Sequence, residues 1–189
     1  MAKLYFKYGA MSSGKSIELL RVNYNYYENN KKTICLTSIK DDRYTVGYIT
    51  SRIGISTGAI GFEKINIFDL VKKTEGVSCV LVDEAQFLTK EQVYQLSDVV
   101  DILDIPAICY GLRSDFKMYA FEGSKYLMSM ADSIEEIKTI CSVCKNKKAI
   151  VNARFKDGVI EKVGQQIQIG GNETYKPLCR KCYKSLLNV

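Results

Sequence analysis

The sequence predicts an α/β protein: a parallel sheet wrapped by helices, with a smaller unit after residue 140. Three observations lead there. Apolar runs of strand length alternate with stretches of helical period, a glycine-rich turn separates the first run from the first helix, and two C-x-x-C pairs are confined to the carboxyl-terminal region.

The elements follow in order. Residues 4–8 read as a strand, and Ile17, Leu19, Leu20, Val22 and Tyr24 begin a helical pattern that ends near Glu28-Asn29-Asn30. Between them lies Gly9-Ala10-Met11-Ser12-Ser13-Gly14-Lys15-Ser16, which fits G-x-x-x-x-G-K-[ST] at every fixed position. Such a loop wraps backbone N–H groups around nucleotide phosphates. Its lysine reaches the β- and γ-phosphates, and its serine hydroxyl binds Mg²⁺ at a helix N-terminus. Residues 33–37 form a second strand, and residues 38–62, with four glycines and no sustained period, a mobile loop or loose hairpin. A short helix is expected over 65–73, a strand buried on both faces over 77–82, and a helix over 89–103 with Thr89 as N-cap and Gln92 completing a capping box. Residues 106–110 give another buried strand, 116–130 a loop and helix, and 136–140 a last strand before the second unit begins at Cys141.

Composition narrows the chemistry. The 189 residues include no histidine, so acid–base work falls to carboxylates, lysine, tyrosine or cysteine. The net charge of +6 is unevenly spread: residues 141–189 hold 10 of the 27 Lys and Arg but only 3 of the 21 Asp and Glu. Part of that excess would offset the charge of thiolates binding Zn²⁺. No apolar stretch is long enough for a membrane span and no leader is evident, so the expected location is cytoplasmic, with no membrane partner.

Asp83 and Glu84 end the 77–82 strand. One carboxylate there helps hold Mg²⁺, and the second, Glu84, is placed to accept a proton from an attacking hydroxyl. Asp41-Asp42-Arg43 follows the second strand and offers an arginine for charge on a transferring phosphoryl group. Cys141 and Cys144, with Cys179 and Cys182, supply four thiolates for a closed, structural Zn²⁺ site, brought together by a hairpin over 149–163. Cys35, Cys79 and Cys109 sit singly in buried strands and act as small apolar residues. Between the knuckles, residues 165–175 carry a Gly-Gly hinge and a loop able to close over a ligand. On residues alone, a nucleic-acid-dependent ATPase and a non-catalytic nucleotide-binding module stay open beside a kinase. The basic segment speaks for the ATPase, and the lack of an aromatic stacking platform speaks against it.

Taken together, Ser-Gly-Lys-Ser, Asp41-Asp42-Arg43, residues 82–87, residues 110–116, Ile169-Gly170-Gly171 with Tyr175, and the cysteine knuckles resemble the cytosolic-type (type II) thymidine kinases, bacterial-like, over nearly the whole chain. The resemblance implies a P-loop kinase domain over 1–140 and a zinc-anchored lasso domain over 141–189. It implies transfer of the ATP γ-phosphoryl group to the 5′-hydroxyl of thymidine, and of deoxyuridine, in nucleotide salvage. Glu84 aligns with the family's general base, with Lys15 and Arg43 beside it in catalysis. ATP and Mg²⁺ fall to residues 9–16 with Asp41, Arg43, Asp83 and Gln86. The nucleoside pocket falls to Met11, Phe87, Leu112, Phe116 and Phe121 as walls, the backbone of Gln166, Ile167, Gln168, Ile169 and Gly170, and Tyr175. Arg52 stands where the family often has His. The family also implies a homotetramer inhibited by thymidine triphosphate, and no nucleic-acid partner.

Overall fold

The computed structural model describes residues 1–40, 46–168, 170–171 and 173–188. Strand β1 (Leu4–Tyr8) leads through the glycine-rich loop of residues 9–14 into α1 (Lys15–Glu28), and β2 (Lys32–Thr37) follows. The stretch read as a loose hairpin contains one, β3 (Tyr48–Thr50) against β4 (Ser56–Gly58), and then β5 (Ile60–Gly61), which joins the main sheet beside β2. Next come α2 (Ile67–Lys73), β6 (Val77–Val82), a 3₁₀ turn (Ala85–Phe87), α3 (Lys90–Leu103), β7 (Ala107–Gly111), α4 (Glu122–Met130) and β8 (Ser133–Glu136).

The six main strands run in the order β5-β2-β6-β7-β1-β8, every pairing parallel. The continuous apolar runs have a simple reason. On β6, Val80 and Val82 face the core beneath α2, α3 and α4, with Leu4, Phe6, Leu36 and Cys109; Cys79 and Leu81 face the opposite core, with Leu19, Leu20, Cys35 and Tyr110. Both faces are covered, so both parities must be apolar. Burial pushes the Cys35 thiol up to about 11 and that of Cys79 up to about 12, so these cysteines are uncharged packing groups. The capping box on α3 forms as the sequence predicts: Gln92 N–H donates to Thr89 Oγ1 at 3.2 Å, and Thr89 N–H donates to Gln92 Oε1 at 3.0 Å.

The strand expected over 136–140 lies earlier, at Ser133–Glu136. Its partner explains the shift: β1 ends at Tyr8, and Ile137 N–H takes the Tyr8 carbonyl at 2.7 Å as the last rung. Beyond that point Lys138-Thr139-Ile140 leaves the main sheet, making only an isolated bridge from Ile140 to Lys148, with Ala149 N–H donating to Thr139 O at 2.8 Å. Because β8 is an edge strand, Ile134 is exposed, and the run lacks the apolar continuity that marks a central strand.

After Cys141 a three-stranded sheet forms, β10-β9-β11, from β9 (Val151–Lys156), β10 (Val159–Ile160) and β11 (Tyr175–Leu178), and α5 (Arg180–Leu187) closes the chain. The expected hairpin is present, although its second strand stops at Ile160 rather than reaching Val163. Val151, Ala153, Ile160, Leu178 and Tyr183 form a separate small core around Cys141 and Cys179. Among the described residues, no helix is long and apolar enough to cross a membrane.

Candidate active site and zinc centre

All six strands point their carboxyl ends to one edge, where ligands bind in parallel α/β sheets. β1 delivers the glycine-rich loop there. A Cβ on Gly9 would meet Ile137 O at 2.4 Å and Ser13 Oγ at 2.5 Å, so only glycine lets the loop turn beneath the β8 connection. Gly14 enters α1 with φ 88 and Ser12 bends the loop with φ 62, aiming the turn at the helix N-terminus. Lys15 Nζ lies across the loop, donating to Gly9 O at 3.2 Å and Ala10 O at 3.0 Å.

β6 delivers the two carboxylates. Asp83 is 5% exposed and accepts from Ser16 Oγ at 2.8 Å, which joins the strand acid to the loop hydroxyl. Burial raises its pKa to about 7 and the neighbouring Glu84 charge adds to the rise, opposed by the Ser16 hydrogen bond, the Glu84 N–H and Lys15. A buried carboxylate with a hydroxyl beside it suits a divalent cation, which Asp83 and Ser16 would hold. Glu84 takes a left-handed conformation, φ 51, rare for a residue with a side chain. That kink ends the strand and starts the 3₁₀ turn, separating the Glu84 carboxylate from that of Asp83. Gln86 fixes it: its amide nitrogen donates to Glu84 Oε2 at 2.5 Å, and its oxygen accepts from Leu112 N–H at 2.9 Å. Gln86, expected at the ATP and Mg²⁺ site, therefore has both polar ends engaged in orienting Glu84 against β7.

Next to Glu84 opens a cavity of about 250 Å³. Phe87 and Phe121 meet edge to face, centroids 5.8 Å apart, on one side. Met11, Leu112, Phe116 and Tyr175 cluster on the other. Gln166, Ile167, Gln168 and Gly170 line the remaining wall, and Tyr175 Oη donates to Gln168 O at 2.8 Å. Every described residue expected in the nucleoside pocket lines this cavity, as do Ser12, Gly14, Lys15, Ser16, Glu84 and Gln86. Asp41, Asp42, Arg43 and Ile169 lie outside the described residues.

Some residues in or beside the pocket carry little signal of their own in the sequence. Asn152 is buried in β9 and its side-chain oxygen accepts from Met11 N–H at 2.7 Å, tying the small sheet to the phosphate loop across 141 positions. Arg52, at the tip of the β3–β4 hairpin, donates to Ser12 Oγ at 2.8 Å. Tyr183 of α5 donates to Phe116 O at 2.7 Å. Arg52 is marked in the sequence only through the family resemblance, and Asn152 only as a polar residue between the apolar Val151 and Ala153.

The sulfur atoms of Cys141, Cys144, Cys179 and Cys182 all lie within 4.8 Å of one another, and Cys144 and Cys179 are 3.9 Å apart. A tetrahedral Zn²⁺ with Zn–S near 2.3 Å requires sulfur separations of about 3.8 Å. The set therefore fits zinc, with no position left for water. N–H groups of Lys147 and Asn146 lower the Cys144 thiol, whereas the Cys179 side chain and burial raise that of Cys182, so the four thiols do not ionise together without a cation among them.

A G-x-x-x-x-G-K-S loop and a buried acid, sharing one sheet edge with a cavity walled partly by aromatic side chains, suit a phosphotransferase acting on a compact organic acceptor. Against known sequences, the model of the family "Thymidine kinase" matches residues 2–183. Thymidine kinases of Lactiplantibacillus plantarum and Haemophilus influenzae are each 55% identical, over 97% of this chain and 96% and 97% of theirs; that of Shouchella clausii is 54% identical over 97% of both. The chain belongs to the thymidine kinase family. Likeness to solved structures is weaker: a Pif1 helicase from Candida albicans gives a TM-score of 0.45 at 14% identity, over 74% of this chain and 36% of that one.

Proposed function

We propose that this chain transfers the γ-phosphoryl group of ATP, as its Mg²⁺ complex, to the 5′-hydroxyl of thymidine, and also of deoxyuridine, giving the 5′-monophosphate. The observation that carries this reading is the cavity itself. Its aromatic walls suit a pyrimidine base, and it opens onto Glu84 and the phosphate loop together. Backbone carbonyls and N–H groups of residues 166–170 suit the polar edge of the base.

In this reading residues 9–16 hold the triphosphate and Lys15 neutralises its β- and γ-oxygens. Ser16 and Asp83 hold Mg²⁺, Asp41 supports the same region, and Arg43 balances charge on the transferring group. Glu84, oriented by Gln86, takes the 5′-hydroxyl proton as the oxygen attacks in line. Most of the rate enhancement comes from alignment in a site that excludes water as an acceptor. Zinc is structural: held by the four cysteines, it fixes the ends of the segment that carries residues 165–175. Residues 1–140 then form the kinase unit and 141–189 the zinc-anchored lasso unit. A cytoplasmic salvage enzyme, a homotetramer and inhibition by thymidine triphosphate complete the proposal on family grounds.

The test uses γ-labelled ATP, Mg²⁺ and the purified chain, with thymidine, deoxycytidine, uridine, water alone and single-stranded DNA as parallel acceptors. Label in thymidine monophosphate, and little elsewhere, supports the reading. Free labelled phosphate, released faster with DNA, would mean an ATPase.

A further inference from the structure

Arg154 is the largest fully buried side chain among the described residues, 1% exposed in the middle of β9, and neither phosphate transfer nor zinc binding requires a cation there. Its guanidinium carbon sits 3.7 Å above the centroid of Phe116, a wall of the base cavity. Its Nη1 donates to Gln165 O at 3.0 Å, and its Nε faces the Glu161 carboxylate as an ion pair. The backbone returns the contact, with Glu161 N–H donating to Arg154 O at 2.8 Å. Gly164 passes so close that a Cβ there would meet Arg154 Nη2 at 2.2 Å. Lys117 reaches over the same ring and donates to Gly164 O at 3.1 Å.

The chain segment 161–165 is thus wound around one guanidinium, and the next three residues line the cavity. On β11, Tyr175 lies opposite Arg154 and holds the far side of the segment through Gln168 O. A buried ion pair is a poor device for stability alone, since apolar side chains of equal volume pack as well or better. What arginine supplies is a planar fork that can cover a ring face and bind backbone carbonyls together.

We propose that Arg154 is a positioning residue for nucleoside recognition: it locks residues 164–168 against Phe116 and so sets the width of the base cavity, without touching phosphate chemistry. The inference rests on the nucleoside kinase reading for its kinetic consequence, but not for the anchoring itself.

The test compares wild type with Arg154→Met/Glu161→Gln, which removes the pair as a unit and leaves no orphaned charge. Arg154→Lys keeps the charge without the planar fork, and Gly164→Ala crowds Nη2. Steady-state kinetics for thymidine and ATP are read beside hydrogen–deuterium exchange over residues 161–168 in the ligand-free protein and zinc content per chain. For the double variant we expect KM for thymidine to rise about tenfold or more, with KM for ATP within about twofold and kcat within about threefold. Exchange over 164–168 should quicken with zinc unchanged, and Arg154→Lys should fall between. Unchanged exchange over 164–168 in the double variant overturns the proposal, whatever the enzyme phosphorylates. A parallel rise in both KM values with zinc loss also overturns it, as the mark of a general folding role. A wild type that fails to phosphorylate thymidine refutes the function reading alone, and the exchange result still decides the anchoring.

Discussion

Asp83→Asn should make the metal-free protein more stable while disabling it. Asp83 is 5% exposed, and its proton affinity rises from an ordinary 3.8 to about 7, burial first and the Glu84 charge second. The folded state therefore holds this proton more tightly than the unfolded state. The resulting cost to the fold is absent below pH 4, grows between 4 and 7, and is constant above 7. At 1.36 kcal/mol per tenfold in proton affinity, the shift corresponds to on the order of 4 kcal/mol as an upper bound at pH 8. Relaxation and shared titration with Glu84 reduce it, so a realised gain of about 1–2 kcal/mol is expected. For a chain of this length, that is roughly 2–8 °C in thermal midpoint. Asparagine can still accept from Glu84 N–H, where Asp83 Oδ1 now does so at 3.0 Å, and can donate to the Ser16 hydroxyl. The assay is thermal unfolding by circular dichroism at pH 4 and pH 8 in magnesium-free buffer without chelator, so that zinc is undisturbed, repeated with saturating Mg²⁺ and ATP. The variant should melt higher than wild type at pH 8, equally at pH 4, and lower once Mg²⁺ and ATP are added. A variant that melts lower than wild type at pH 8 without metal, or a difference independent of pH, would refute the account of Asp83 as a carboxylate held at a cost for a cation.

Glu84→Gln keeps the size and the kinked backbone but cannot take a proton, so kcat should fall by roughly 100-fold or more with ATP binding retained; near-normal turnover in folded protein removes Glu84 from the mechanism. Cys144→Ala deletes one of four ligands, and elemental analysis should then find far less than one zinc per chain, with early proteolysis after residue 140. Full zinc content would argue against the four-cysteine site. Asn152→Ala strands the Met11 N–H and should cost about 1–3 kcal/mol in chemical unfolding. A neutral result would show that the link across the two sheets carries no load.

What the chain reveals unaided is whatever a short stretch decides for itself. The glycine spacing of residues 9–16 makes a tight turn between β1 and α1 because Gly9 and Gly14 lie within the turn itself. Thr89 and Gln92 cap α3 because both partners lie within one turn, and each C-x-x-C pair is marked by its own spacing, whereas only the fold brings the two pairs within 4.8 Å. The buried strands β6 and β7 are legible because both faces are covered, which makes their apolar runs continuous.

Features built from distant partners leave no such trace. Ser133–Glu136 pairs at an edge only because β1 stops at Tyr8, so its position depends on the partner strand rather than its own alternation. Strand β11 and helix α5 gain their apolar faces from β9 and the zinc cysteines. Asn152 and Arg154 are two polar residues in a short strand by sequence. Only the tertiary fold brings one to the amide of Met11 and the other onto the ring of Phe116. A hydrogen bond spanning 141 positions has no period for a sequence to display, because its geometry exists only after the small sheet has closed over the edge of the large one.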